Sequence, residues 1–269
     1  MRVLNSVITS ALLACATMAA NAHEFWIDPD AYQVQAGDTL KASLRVGEEF
    51  SGSSYPYRPS QITRFELVQG ETVTPVEGRM GDNPALETSA TDDGLLVIVH
   101  ETGDNTVIYS DFAKFEKFVS HKAFPDVIAL HAARGISKDR FVESYRRYAK
   151  SLVAIGEGAG ADRETGLKTE IVALANPYTD TLTEMPVKVL LDGAPRANTQ
   201  VELFEKAPDE TVQVTFHQTD GEGIAQVPVK PGHTYLVDAV WAEALPNDDA
   251  DAGPVWKTHW AALTFAMPK

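Results

Sequence analysis

The 269-residue sequence contains a single cysteine, Cys15. Cys15 lies in an apolar N-terminal segment that we predict to be removed as a signal peptide. The mature chain would then have no disulfide and no thiolate ligand. Any metal site in it must therefore be built from nitrogen and oxygen atoms.

Basic residues are also scarce, because 23 lysines and arginines stand against 38 aspartates and glutamates, for a net charge of −15 at pH 7. Removal of residues 1–22 takes away Arg2 and no acidic residue, so the charge becomes −16. Nucleic acids and anionic membranes are bound by basic surfaces. We therefore expect no nucleic-acid partner, and metal cations or cationic surfaces of other proteins fit the charge better.

Long apolar runs and familiar catalytic motifs are missing as well. No run after residue 22 reaches the roughly 18–20 residues of a spanning helix, so we expect no membrane insertion. The chain has no G-x-S-x-G, no H-E-x-x-H and no Walker lysine, and no cysteine nucleophile in its mature part. These absences favour a binding protein over an enzyme.

The segment that organises the prediction is Ala20-Asn21-Ala22-His23-Glu24. It reads as a signal-peptidase site, so we expect residues 1–22 to be cleaved and the product to be periplasmic. His23 would then be the first residue, and its free amine and its Nδ1 atom could close a chelate ring on a divalent transition metal. A competing lipoprotein cut at Cys15 would leave His23 inside the chain. That cut is disfavoured by the short segment before Cys15.

Two further histidines are candidate metal ligands. His100 ends a predicted strand on the face of Leu96 and Ile98, and His259 shares a face of the last strand with Leu263. A histidine among apolar side chains needs either a hydrogen bond or a metal. The sequence thus predicts a site of His23, His259 and His100, with two separately satisfied buried histidines as the alternative.

The other ionisable candidates carry less weight. Glu24 could supply an oxygen ligand or orient an imidazole, although a surface carboxylate is the simpler interpretation. Four histidines are predicted to be solvated: His121, His131, His217 and His233.

The pattern of apolar residues predicts a mainly β protein of two immunoglobulin-like β-sandwich domains. The first covers residues 23–155 and includes a helical insert at about 112–154. A glycine-rich linker spans 156–166, and the second sandwich covers 167–269. The clearest predicted helix runs from Ser137 to about Ala154, because large side chains recur there at helical spacing, at Phe141, Tyr145, Tyr148 and Leu152.

Three stretches carry a resemblance to a known family: Ala22–Trp26, Glu143–Lys150 and Thr258–Phe265. They resemble a bacterial family of extracytoplasmic domains of unknown function described as a NikM-like component of nickel and cobalt transport. The resemblance covers essentially the whole mature chain. It implies a periplasmic metal-handling protein, with His23 and His259 at matching positions, acting as an accessory to a membrane transporter or an outer-membrane receptor. The C-terminal part also looks like the transthyretin-like regulatory sandwich found beside carboxypeptidases, which is a scaffold or binding element.

Three functions remain open on the sequence alone. The first is a divalent-metal binding accessory, for nickel or cobalt by resemblance or for copper by the chemistry of an amine and imidazole site. The second is a β-sandwich adaptor that binds a protein or glycan and no metal. The third is a copper oxidase that uses the terminal histidine as a brace.

Overall fold

The computed structural model describes residues 23–90 and 92–269, and the signal peptide and Cys15 predicted above lie outside these residues. The predicted fold class is confirmed: the chain is mainly β, with two short α-helices and sheets arranged as sandwiches. Among the described residues, no helix is long and apolar enough to cross a membrane.

The chain before residue 140 forms the following elements: β1 (Glu24–Pro29), β2 (Gln33–Val34), β3 (Thr39–Glu48), β4 (Ser51–Tyr55), a 3-10 helix (Pro59–Gln61), β5 (Ile62–Gln69), β6 (Thr72–Pro75), β7 (Leu86–Ser89), β8 (Gly94–Thr102), β9 (Asn105–Tyr109), α1 (Phe112–His121) and α2 (Val127–Ala133). The rest of the chain forms strands: β10 (Phe141–Ile155), β11 (Thr169–Ala173), β12 (Glu184–Leu191), β13 (Ala194–Pro195), β14 (Gln200–Lys206), β15 (Val212–Gln218), β16 (Ile224–Pro228), β17 (Thr234–Ala244) and β18 (Pro254–Ala266).

A ten-stranded sheet forms the middle layer of the molecule. Its order is β15-β14-β17-β18-β10-β8-β5-β6, with β2 and β9 also paired to β10. A sheet of β1, β3, β4 and β7 covers one face and a sheet of β11, β12, β13 and β16 covers the other. Alternate residues of the central strands point into two different cores, as the period of two requires, so the two predicted sandwiches share their middle sheet.

The shared sheet joins the two halves of the chain across the predicted linker. β10 pairs in parallel with β18, and this register aligns Tyr145 with Thr258 and Ser151 with Thr264. Tight turns, by contrast, depend on residues that are neighbours in the chain. At Asp192-Gly193, both residues have positive φ, the requirement of a tight hairpin turn between β12 and β13.

The prediction of a helix from Ser137 to Ala154 is wrong, because residues Phe141–Ile155 form the long strand β10. Both faces of β10 are covered: Tyr148 and Leu152 enter one core, while Ala149 and Val153 enter the other. A strand buried on both faces does not alternate in polarity, and its large side chains happened to recur at helical spacing. The helical insert itself exists, but it is confined to α1 and α2.

The predicted linker at 156–166 is a loop anchored by buried polar contacts. Lys150 of β10 lies 2.7 Å from Asp162 of the loop and 3.0 Å from Glu170 of β11, and all three side chains are almost completely buried. Asn176 donates its side-chain amide to the carbonyl oxygens of Gly158 and Gly160 at 2.8 and 2.9 Å. The loop is therefore part of the folded unit.

Replacing Asn176 with alanine is expected to lower the free energy of unfolding by about 2 kcal/mol, because a buried carbonyl group and a partly buried one lose their donor. Urea denaturation would measure this loss, and limited proteolysis would report greater cleavage within 156–166. The exposed change Gln213→Ala on β15 is the control and should stay within about 0.5 kcal/mol of wild type. Equal stability of N176A and wild type would contradict the anchoring role.

Candidate functional site

His23 lies directly before β1 at the open end of one sandwich. Its carbonyl oxygen accepts a hydrogen bond of 2.8 Å from Arg147 of β10, which fixes the backbone at the start of the strand. Its Nδ1 atom lies 3.3 Å from Oε1 of Glu48, the last residue of β3. The backbone pairing of Glu24 with Gly47 joins β1 to β3, and it brings the side chains of His23 and Glu48 together.

The His23–Glu48 pair lines a groove with a volume of about 880 Å³. The remaining walls come from Glu49, from the edge strand β4 and from Val212 of β15. The two side chains are 39% and 49% exposed, but the Nδ1 atom itself is hidden and makes no hydrogen bond of normal geometry. The groove thus presents an unsatisfied imidazole nitrogen beside two carboxylates.

Glu24, the next residue, belongs to a buried ionic cluster that the sequence analysis did not identify. The Lys122 ammonium lies 3.2 Å from Glu24, 2.6 Å from Glu202 and 3.0 Å from Asp238. All four side chains are less than a tenth exposed. The three carboxylates come close enough to hold a metal ion, but the lysine at the end of α1 already neutralises part of their charge.

The charges in this cluster shift one another's pKa. Burial raises the pKa of Glu24 to about 7 against the opposing effect of Lys122, and burial likewise raises the pKa of Asp238. Burial alone would lower the pKa of Lys122, but the three carboxylates outweigh it and raise that pKa above its usual value. The lysine is therefore charged at every physiological pH. It also lies 4.8 Å from the ring centre of Trp260.

His100 is buried between aromatic rings. It is 2% exposed, its ring centroid lies 5.1 Å from those of both Phe25 and Phe65, and neither of its nitrogens has a hydrogen-bond partner. Burial lowers its pKa to about 3. The predicted apolar surroundings of His100 are confirmed.

His259 has conventional partners instead. Its Nδ1 atom lies 3.1 Å from the hydroxyl group of Tyr148, which can donate to it, and its Nε2 atom lies 3.1 Å from Glu243. Trp241 stacks on the ring at 5.1 Å. Burial lowers the pKa of His259, and the hydrogen bond to Glu243 opposes that shift.

The structure does not bring His23, His100 and His259 together. His259 is on the face of β18 that carries Ala261 and Leu263 into one core, whereas His100 is on the face of β8 that carries Ile98 into the other. The central sheet therefore lies between these two histidines, so they do not face one another as the predicted metal site requires. Both histidines lie at the apolar positions predicted for them. The alternation along a strand does not tell which of the two cores a given face of the shared sheet enters.

The other histidines divide into buried and surface residues. His131 was predicted to be solvated but is completely buried in α2, where its Nδ1 atom accepts a hydrogen bond of 3.1 Å from the indole of Trp256. His121 ends α1 with its side chain half exposed and its Nε2 atom 3.0 Å from Glu202. His217 is partly exposed beside Thr215, and His233 is close to Glu205.

The sequence did contain a signal for the lysine cluster. Glu202 lies on the face of β14 that carries Phe204, and Asp238 lies on the face of β17 that carries Leu236, so both are carboxylates at apolar positions. The parity argument applied to His100 and His259 would have selected them. Nothing in the sequence indicated that Lys122 would meet them, because it lies 80 residues before Glu202 and 116 before Asp238 in the chain.

Comparison with known proteins gives a family and little else. A search of curated proteins found no match. One similar solved structure is a tetra-tandem repeat in the extending region of a large adhesion protein, with 11% identity and a TM-score of 0.20. The match covers 91% of this chain, but this chain spans only about half (49%) of the adhesion-protein structure. Another is the D0-D1 domain of intimin, with 12% identity, a TM-score of 0.24 and coverage of 89% of this chain and 97% of that one. Neither carries an argument about function.

The family model of a domain of unknown function, DUF4198, matches residues 20–243. The match begins just before His23 and includes the His23–Glu48 groove and all four residues of the lysine cluster. It therefore covers most of the chain and both sites described above. The chain belongs to the DUF4198 family.

Proposed function

We propose that this protein is a periplasmic accessory that binds a divalent transition metal at His23 and delivers it to a membrane transporter or an outer-membrane receptor. Cleavage after Ala22 would free the His23 amine, so that one residue offers two nitrogen ligands. Glu48 supplies an oxygen ligand in place of His100 and His259. In this proposal the metal is cargo, and the protein is a binding protein rather than an enzyme.

One observation carries the proposal: the hidden Nδ1 atom of His23 faces Glu48 at 3.3 Å without a hydrogen bond. A buried polar atom without a partner is costly in a folded protein. Two atoms that each bind one ion at about 2.0–2.2 Å lie roughly 3 to 3.5 Å apart. The spacing of this pair therefore suits shared coordination of a metal.

The surroundings support a cation as the ligand. Glu49 also lines the groove, the whole chain has a net charge of −15, and Arg147 holds the His23 carbonyl so that the first residue stays in place. The sequence resemblance described above favours nickel or cobalt. A site of amine, imidazole and carboxylate would by intrinsic affinity prefer copper(II).

The test is titration of the exported, processed protein with nickel, cobalt and copper by calorimetry, after intact mass has shown that it begins at His23. His23→Ala is expected to lower the affinity by orders of magnitude, and Glu48→Gln by about tenfold or more. His217→Ala, which changes a histidine that does not line the groove, is the matched control and should bind as wild type does.

A second preparation separates the amine from the imidazole. A chain whose His23 amine alone is acetylated keeps the imidazole and Glu48 but has no free terminal amine, so we expect its affinity to fall nearly as far as that of H23A. Unchanged affinity in H23A would end the proposal. No binding of any of the three metals to the correctly processed wild type would favour the adaptor function instead.

A further inference from the structure

The last part of one edge of β17, close to the lysine cluster, pairs with no other strand among the described residues. Its pairing with β14 ends at Asp238, while its pairing with β18 continues to Ala244. The carbonyl of Val240 points away from β18, because it accepts a hydrogen bond of 2.7 Å from Arg196. In an antiparallel strand every second residue directs its backbone groups to the same side, so Ala242 and Ala244 direct theirs to the unpaired side.

A cavity of about 320 Å³ runs along this edge. Its lining includes the segment between α1 and α2, Leu130 of α2 and four residues of β17: Val240, Trp241, Ala242 and Ala244. Trp256 and Arg196 also line the cavity. The space therefore combines strand backbone, apolar side chains and a guanidinium group.

Arg196 is the unusual member of this lining. Its guanidinium contacts the Val240 carbonyl and, at 3.5 Å, the Thr169 hydroxyl, and it makes no ion pair with any carboxylate in residues 23–90 and 92–269. Burial lowers its pKa to about 10, against the opposing effect of Asp238, so it is charged at neutral pH. Lys122 also borders the cavity, but three carboxylates already surround it.

We propose that this cavity binds the C-terminal end of an extended peptide, which adds a strand to the edge of β17 and places its free carboxylate on Arg196. The open backbone groups of Ala242 and Ala244 supply main-chain hydrogen bonds. The guanidinium has unused donors in the geometry that suits a carboxylate. The tryptophan and leucine side chains favour an apolar last residue on the peptide.

The charge distribution fits the end of one chain better than an acidic surface. The only acidic side chain in the lining is Asp126, which is exposed, and it adds to the repulsion that the net charge of −15 exerts on a highly acidic ligand. A single carboxylate at the end of an otherwise apolar peptide meets Arg196 at the least electrostatic cost. The inference is independent of the metal site at His23.

The experiment uses the full mature protein and two acetylated probes, Ala-Val-Ala-Val and Ala-Val-Ala-Phe, each with a free C-terminal carboxylate. Binding is followed by calorimetry and by the fluorescence of Trp241 and Trp256. Amidation of the C-terminus is expected to weaken binding by at least about tenfold, because the charged hydrogen bond is lost. N-methylation of the alternate amides of the peptide that face β17 should weaken it by a similar factor.

Variants of the protein give the matching result. Arg196→Gln should lose the preference for carboxylate over amide, while Arg196→Lys should keep part of it. The exposed change Arg140→Gln should leave binding unchanged. If R196Q folds poorly, the amidated and methylated peptides still decide. Equal binding of carboxylate and amide forms, or no saturable binding of either probe below about 5 mM, would overturn the proposal.

Discussion

Replacing Lys122 with methionine is expected to lower the free energy of unfolding by about 3–5 kcal/mol at pH 7. The substitution keeps most of the side-chain volume but removes the ammonium group that contacts Glu24, Glu202 and Asp238 together. Removing one partner of a buried ionic network costs much more than the pair is worth, because the remaining charges cannot be solvated. Urea denaturation would measure the loss.

The pH dependence distinguishes this mechanism from a simple packing defect. A carboxyl group whose pKa is raised in the folded state is most favourable to folding below its unfolded pKa, and stability falls as pH rises through the folded value. For Glu24, this interval runs from its unfolded pKa of 4.5 to about 7. Lys122 opposes the raised pKa of both Glu24 and Asp238, so without it these two groups should titrate still higher, and the deficit of K122M should shrink as pH falls from 7 to about 5.

The matched control is Lys41→Met. Lys41 pairs with Glu87 at 3.3 Å, but both side chains are at least 40% exposed. Exposed pairs contribute about 0–1 kcal/mol, so this variant should unfold nearly as wild type does. A loss below about 1 kcal/mol in K122M, with no change in its pH profile, would show that the buried cluster does not hold the sandwich together.

His100→Leu is expected to make the protein less sensitive to mild acid. The pKa of His100 falls from 6.5 to about 3 on folding, because its ring is buried between Phe25 and Phe65. As pH falls below 6.5, His100 therefore becomes protonated in the unfolded chain but stays neutral in the folded protein. Stability carried by the neutral histidine is fully present above pH 6.5 and is lost progressively down to about pH 3.

The measurement compares wild type and H100L by urea unfolding at pH 7 and at about pH 5. Both proteins share every other titrating group, so the difference between their pH dependences isolates His100. We expect wild type to lose roughly 2 kcal/mol more free energy of unfolding than H100L does between pH 7 and pH 5. At pH 7 the two should differ little, because the lost ring contacts are offset by removal of two unpartnered nitrogen atoms.

His217→Leu is the comparison variant, because the side chain of His217 is only partly buried, and Glu184 opposes the effect of that burial in lowering its pKa. It should move the pH dependence much less than H100L does. Parallel pH profiles for wild type and H100L would mean that water or a partner group reaches His100 in the folded protein. That result would contradict its place in the aromatic core.

Much of the fold could be predicted from residue patterns alone. The alternation of Leu40, Ala42 and Leu44 indicated β3, and the Asp192-Gly193 pair indicated the turn between β12 and β13. These features depend on neighbours in the chain, which is why period and turn chemistry predict them. The sequence also indicated correctly that His100 and His259 lie among apolar side chains.

Neighbouring residues did not determine what covers each face of a strand. β10 was mistaken for a helix because both of its faces are buried, which removes the alternation that identifies a strand. The strands β8 and β9 follow each other in the chain with only a short turn between them, yet β8 pairs with one end of β10 and β9 with the other. In both cases the decisive contact is with a partner distant in the chain.

The candidate sites divide in the same way. The sequence by itself determined the single cysteine at Cys15 and the excess of negative charge, and it carries the motif that predicts cleavage before His23. Only the tertiary structure decided that Glu48 faces His23, that a sheet separates His100 from His259, and that Lys122 meets three carboxylates. The physical reason is that side chains meet only if their strands are neighbours or packed together and they project from faces that enter the same core. Both conditions are set by pairing between strands that are distant in the chain.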